Sequence, residues 1–171
     1  KAGAFALVLG GLGAGIGALP VNAQVTAFKQ AIAEAASVDD AVAAFYRDNN
    51  YQPIWTGTTA EDQARRAALL FALGNITVHG LPDRSVEVAH LTEQMQNART
   101  TRDLGIVEVA LSRALVDYAR DIQTGMLVPS RIDDGMVRKK PVVDGTVYLA
   151  GMRDGQPMSF MRSLTPKSPQ Y

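Results

Sequence analysis

The sequence predicts a mainly α-helical protein of 171 residues: a small bundle-like domain, with an apolar segment before it and a proline-rich, irregular part after it. Apolar residues recur at helical spacing between residues 25 and 124. Twenty uncharged residues run from Ala2 to Val21, and five of the eight prolines lie between residues 129 and 169. We therefore expect an export leader or anchor at 1–23, a helical scaffold domain at 24–130 and an irregular extension at 131–171.

The composition excludes several classes of function. The chain has 17 basic and 17 acidic side chains, so its net charge of zero gives no electrostatic footprint for nucleic acid, which usually needs a clearly basic face. It has no cysteine, which excludes disulfides, thiolate metal sites and thiol nucleophiles from this stretch of sequence. We therefore predict no nucleic-acid partner and no thiol chemistry within these residues.

The apolar N-terminal segment predicts export from the cytoplasm. A helix of twenty residues spans roughly 30 Å, which is the thickness of the hydrocarbon core of a bilayer. The segment ends at Val21-Asn22-Ala23-Gln24, where the small Ala23 suits signal peptidase and a cut before Gln24. A cleaved secretory leader is the first interpretation of this segment.

A retained membrane anchor is the second interpretation. Gly11 and Gly15, like Gly13 and Gly17, stand four residues apart, which lets membrane helices approach closely. The same glycines also give a dinucleotide-like pattern, Gly13-x-Gly15, but Pro20 interrupts it and a helical segment follows where a strand is required. A membrane partner through this segment is therefore expected, and a nucleotide is not.

The first half of the helical domain predicts three helices. Residues 25–36 are rich in strong helix formers, and Ser37 is expected to cap a second helix that Asn49 ends. Residues 51–55 are expected to be extended because Pro53 disfavours helix at the residue before it. Thr58-x-x-Glu61 predicts a capping box at the start of a third helix, which ends near Gly74.

The second half of the domain predicts two further helices and then a loss of helical periodicity. Ser85 is expected to cap the fourth helix. Leu104, Val107, Leu111, Leu115, Tyr118 and Ile122 share one face of a long amphipathic helix from residue 103 to 124. After residue 126 we expect irregular structure, with residues 146–149 as one short candidate strand.

A search for catalytic, cofactor and metal sites finds no candidate residue. His79 and His90 are eleven positions apart and lack the spacing of paired metal ligands. No serine lies in a Gly-x-Ser-x-Gly elbow. The paired acids are adjacent in sequence and so do not face each other on a helix.

An aromatic cluster is the one candidate contact site in the body of the chain. Phe45, Tyr46, Tyr51 and Trp55 fall within eleven positions. Tyr46, Tyr51 and Trp55 could offer a ligand or partner an apolar face with a polar tip. The alternative, which we favour, is that these side chains anchor the extended link onto the helices.

Four motifs resemble one known family in order and spacing. They are Phe45-Tyr46-x4-Tyr51-x-Pro53-x-Trp55, His79-Gly80-Leu81-Pro82, Val109-Ala110-Leu111-x3-Leu115-x2-Tyr118-x-Arg120-Asp121-x3-Gly125-x3-Pro129 and Leu164-x-Pro166-x2-Pro169-x-Tyr171. Together they resemble the scaffold region of the large periplasmic L,D-transpeptidases of bacteria, over roughly residues 41–171.

The resemblance implies a function that this stretch of sequence does not itself perform. Members of that family carry a helical scaffold, then a peptidoglycan-binding module and a β-rich catalytic domain whose cysteine, with a histidine partner, forms 3→3 crosslinks. Because this chain has no cysteine, no catalytic residue is carried over to it. The resemblance implies a scaffold on the periplasmic side of the inner membrane, in a parent whose nucleophile lies beyond Tyr171, or else a truncated relative.

Two other functions stay open at this point. The chain could be an accessory subunit of an inner-membrane complex, anchored by an uncleaved N-terminal helix. It could also be a glycan-binding module that uses Tyr51 and Trp55.

Overall fold

Seven α-helices and one 3-10 turn make up the computed structural model, which describes residues 21–124 and 143–165. The helices are α1 (Val21–Ala36), α2 (Asp40–Asp48), α3 (Ala60–Gly74), α4 (Ser85–Asn97), α5 (Thr101–Thr124), α6 (Gly145–Asp154) and α7 (Pro157–Ser163), with the 3-10 turn at Ile76–His79 between α3 and α4. The described residues contain no β-strand. The mainly helical fold that the sequence predicts is confirmed.

Helix α5 is the central element of the fold. Its 24 residues extend over about 36 Å. It packs against α1, α2, α3, α4 and α6. All six positions of the predicted apolar face lie on it, and five of them are buried: Val107, Leu111, Leu115, Tyr118 and Ile122. The long period of apolar residues thus marks the helix around which the others assemble.

The N-terminal cap of α2 differs from the predicted one. Asp39, not Ser37, is the capping residue: its Oδ1 accepts from the backbone N–H groups of Ala41 and Val42, both at 3.1 Å. The Ser37 hydroxyl instead donates to the Glu34 carbonyl, at 2.7 Å. A carboxylate beside the positive end of a helix dipole is a better acceptor than a hydroxyl, so α2 starts two residues later than predicted.

The capping box of α3 is present, one residue later than predicted. Thr59 and Asp62, not Thr58 and Glu61, bond each other's backbone N–H groups. Asp62 is buried and also pairs with Arg65 at 2.8 Å, which draws it inward while Glu61 stays exposed.

The start of α4 also differs from the prediction. Ser85 is the first helical residue rather than the cap, and the Asp83 carboxylate accepts from its N–H and its hydroxyl at 2.9 and 2.7 Å.

The C-terminal region is helical where irregular structure and a strand were predicted. Asp144 caps α6 by accepting from the N–H of Thr146 at 3.0 Å, and Tyr148, Leu149 and Met152 are buried on one side of that helix. Thr146 and Val147 have high strand propensity, but burial of residues at helical spacing overrides it. The expectation of an irregular C-terminal part is therefore wrong for 145–154 and 157–163.

The predicted leader or anchor lies almost wholly outside the described residues. Of Ala2–Val21 only Val21 is included, as the first residue of α1, and Gly11, Gly13, Gly15 and Gly17 are not described. Among the helices that the structure describes, none is long and apolar enough to cross a membrane.

Helices α1 and α5 cross closely at Gly105. A Cβ atom at this position would lie 2.7 Å from the Ala31 Cβ and 3.0 Å from the Phe28 carbonyl oxygen. Real Cβ atoms do not approach so closely, so a side chain here would separate the two helices.

We therefore predict that Gly105→Ala lowers the free energy of unfolding by about 1–3 kcal/mol in urea denaturation. The control is Gly74→Ala at the end of α3, where a Cβ would meet no atom within 4 Å. Because alanine favours helix, that variant should be unchanged or more stable by up to about 1 kcal/mol. Equal effects of the two substitutions would contradict a close crossing of α1 and α5.

Candidate functional site

The segment between α2 and α3, residues 49–59, begins with a turn at 49–51; we call this segment the strap. Asn50 and Tyr51 both have a backbone φ of +57°, in the left-handed region that residues other than glycine rarely adopt. The N–H of Tyr51 bonds to the Tyr46 carbonyl at 2.7 Å. The residues predicted to be extended therefore begin with a sharp reversal of the chain.

The middle of the strap is bound to one buried carboxylate, that of Glu108 on α5. Glu108 is 0% exposed. Its Oε1 accepts from the N–H groups of Ile54 at 2.5 Å and Trp55 at 3.1 Å, and its Oε2 accepts from the N–H and hydroxyl of Thr56 at 2.8 and 2.7 Å. The Tyr46 hydroxyl donates to Oε1 at 2.9 Å. Three successive backbone N–H groups thus share one side chain as their acceptor.

Ser112, one turn further along α5, completes this network. Its Oγ accepts from the indole Nε1 of Trp55 at 2.9 Å and lies 2.7 Å from the Tyr46 hydroxyl. The polar atoms of the two large aromatic side chains are therefore all bonded inside the core, as buried polar atoms require.

Two arginines of α3 bind the carbonyl groups of the same strap. Arg65 Nη1 donates to the Ile54 carbonyl at 3.1 Å, and Arg66 Nη1 donates to the carbonyls of Trp55 and Gly57, the latter at 2.9 Å. The strap thus has a carboxylate on its N–H side and guanidinium groups on its carbonyl side. This arrangement orients the peptide dipoles between opposite charges.

The electrostatics of the network keep its donors protonated. Burial, together with the adjacent Glu108 carboxylate, holds the pKa of the Tyr46 phenol well above its ordinary value of 10.0. Burial also raises the pKa of Glu108, against the opposing effect of the N–H and hydroxyl groups that bond it. At neutral pH Tyr46 is therefore a hydrogen-bond donor.

The structure separates the three predicted contact residues. Tyr46 and Trp55 are each 0% exposed, and their polar atoms bond to Glu108 and Ser112 of α5. Tyr51 is partly exposed and lines an open cavity of about 340 Å³ between the strap and the start of α1. Only Tyr51 is thus placed where a ligand could touch it.

Glu108 and Ser112 are the central residues of the site that sequence reasoning missed. The signal was present: Glu108 follows Leu104 by four residues and precedes Leu111 by three, so it lies within the apolar face of α5. A charged residue inside an apolar face indicates a buried polar partner, but the partner lies more than fifty residues earlier in the chain.

Metal ligation has no candidate in the described ranges 21–124 and 143–165. These residues contain no group of three His, Cys, Asp or Glu side chains that could hold an ion together.

We predict that Glu108→Gln lowers the free energy of unfolding by about 2–3 kcal/mol, because the amide NH2 would replace an acceptor that faces N–H donors. Thermal and urea denaturation would measure the change. The control is Glu93→Gln on the exposed face of α4, which should change stability by less than about 0.5 kcal/mol. A Glu108→Gln protein as stable as the control would show that the carboxylate does not hold the strap.

Comparison with known proteins identifies one family. A family model described as Scaffold domain matches residues 40–171, from the first residue of α2 onward, and so includes the strap and α5. No curated protein and no solved structure matches the chain. Since the family model covers most of its length, the chain belongs to the Scaffold domain family.

Proposed function

We propose that this chain is the non-catalytic scaffold part of an L,D-transpeptidase-like protein that crosslinks peptidoglycan. One observation carries the proposal: two of the motifs that resemble that family, far apart in sequence, meet in the core. Tyr46 and Trp55 of the first motif bond to α5 at Glu108 and Ser112. Ser112 lies within the span of the α5 motif, residues 109–129, at a position that the motif leaves unspecified, and Glu108 directly precedes that span. Leu111, a specified residue of the motif, is buried. The resemblance therefore concerns two segments that contact each other in the core of the fold.

The Scaffold domain match and the lack of cysteine support the same role. In an L,D-transpeptidase a thiolate attacks a peptide carbonyl, and the acyl group then passes to an amine. No side chain of this sequence can act as that nucleophile. The strap and α5, whose polar groups are bonded to each other, would serve as a rigid platform for a catalytic domain elsewhere in the parent protein.

We further propose that the parent protein is exported and stays on the periplasmic side of the inner membrane. The uncharged segment from Ala2 to Val21 supports export and tethering. Contact with peptidoglycan would come through the other domains. The alternative function, an accessory subunit of an inner-membrane complex, shares the tether but does not need a cysteine.

The native protein tests these proposals. We expect an antibody raised against residues 24–165 to recover it from spheroplast membranes, or from the periplasm if the leader is cleaved. Its intact mass should exceed 18.3 kDa, the mass of this chain, by that of at least one further domain. After denaturation, a thiol-alkylating reagent should add at least one adduct.

The recombinant 171-residue chain is the matched control, because without cysteine it can gain no thiol adduct. A native protein of at most 18.3 kDa that takes up no alkylating reagent would contradict the transpeptidase parent and favour the accessory subunit. Recovery from the cytoplasm alone would contradict export.

A further inference from the structure

Two cavities adjoin along the strap, on either side of Thr56 and Leu104. One, of about 340 Å³, lies against α1, and the other, of about 330 Å³, lies against α4. We call the second the Arg66 cavity. Its walls combine apolar side chains, Met95 and Val107, with the strap residues from Thr56 to Thr58 and the Arg66 side chain.

Only one of the three nitrogens of the Arg66 guanidinium forms hydrogen bonds with the described residues. Its Nη1 donates to the carbonyls of Trp55 and Gly57. Its Nε and Nη2 have no acceptor in the described part of the chain, and neither is among the buried unpaired polar atoms. The N–H groups on that edge are therefore not sealed in the interior, and the Arg66 side chain lines the cavity.

The neighbouring arginine shows the contrast. Arg65 binds the strap in the same way, but its charge is met by Asp62, whose Oδ1 lies 2.8 Å from Nη1. Arg66 forms no ion pair with any carboxylate of the described residues. Glu108 lies across the strap, where its own oxygens already accept bonds from Ile54, Trp55, Thr56 and Tyr46.

We propose that the Arg66 cavity binds the carboxylate of a peptide-like ligand that carries an apolar side chain. The open Nε–Nη2 edge of a guanidinium matches the two oxygens of a carboxylate, and such charge-assisted pairs are the strong polar contacts of binding sites. The apolar walls receive the side chain beside it. The site does not depend on the function proposed above, because it needs no further domain.

A matched pair of probes tests the proposal on the 171-residue chain. N-acetyl-leucine carries the carboxylate, and N-acetyl-leucinamide replaces it with a neutral amide. In an amide NMR titration to about 10 mM, the carboxylate should shift the Gly57, Thr58 and Gln96 signals saturably and bind about tenfold more tightly than the amide. N-acetyl-alanyl-leucine shows whether a peptide terminus binds more tightly than the single amino acid.

A pair of variants at Thr58 then locates the site. The Thr58 side chain is exposed and only its carbonyl is hydrogen-bonded, so Thr58→Glu and Thr58→Gln should both fold normally. Thr58→Glu places a carboxylate beside Arg66 and should weaken N-acetyl-leucine binding about tenfold, whereas Thr58→Gln should leave it within about twofold. Arg66 itself is left unchanged because it holds the strap.

Three results would overturn the proposal. One is the absence of saturable shifts with either carboxylate probe. Another is equal affinity for the acid and the amide. The third is equal binding by Thr58→Glu and Thr58→Gln.

Discussion

The bond between the Glu108 carboxylate and the strap is the interaction on which the rest of this structure depends. Residues 54–56 of the strap lie in neither helix nor sheet, so their N–H groups have no acceptor in regular secondary structure. Each buried N–H group without an acceptor would cost about 1–3 kcal/mol. One carboxylate accepts from three of them, at Ile54, Trp55 and Thr56, and so makes it possible to bury this segment.

Burying a carboxylate is itself unfavourable. The protein offsets this cost through hydrogen bonds to the carboxylate and through arginines that bind the carbonyl groups of the strap. Among the described residues no Lys or Arg forms an ion pair with Glu108, so hydrogen bonds alone solvate its charge. On the opposite side of the strap, Arg65 and Arg66 bind its carbonyls, which aligns the peptide dipoles toward the carboxylate. The strap thus joins α2, α3 and α5 through polar contacts as well as through packing.

The sequence predicts the parts of this fold that depend on local pattern. The period of apolar residues on α5 and the end of α3 at Gly74 are confirmed, because the residues that predict them lie close together in the sequence. The caps are displaced by one or two residues where a neighbouring aspartate, such as Asp39, competes for the same N–H groups. Helix α6 was missed because its β-branched residues favour strand locally, while its burial depends on distant helices.

The candidate site could be predicted only in part. The aromatic residues were found because they are rare and clustered, and the burial of Tyr46 and Trp55 is what their size leads one to expect. The role of Glu108 could not be derived, since nothing near it in sequence shows that Ile54 and Thr56 donate to it. The same limit applies to Arg66, whose open edge appears only when α3 is placed against the strap.

Amide hydrogen exchange tests the central claim most directly. If Glu108 holds the strap, the N–H groups of Ile54, Trp55 and Thr56 should exchange only through global unfolding, with the same free energy as Leu111 in α5. The N–H of Thr58, on the exposed end of the strap, should exchange far faster and serves as the internal control. Exchange of the Ile54, Trp55 and Thr56 amides at the rate of Thr58 would contradict the account.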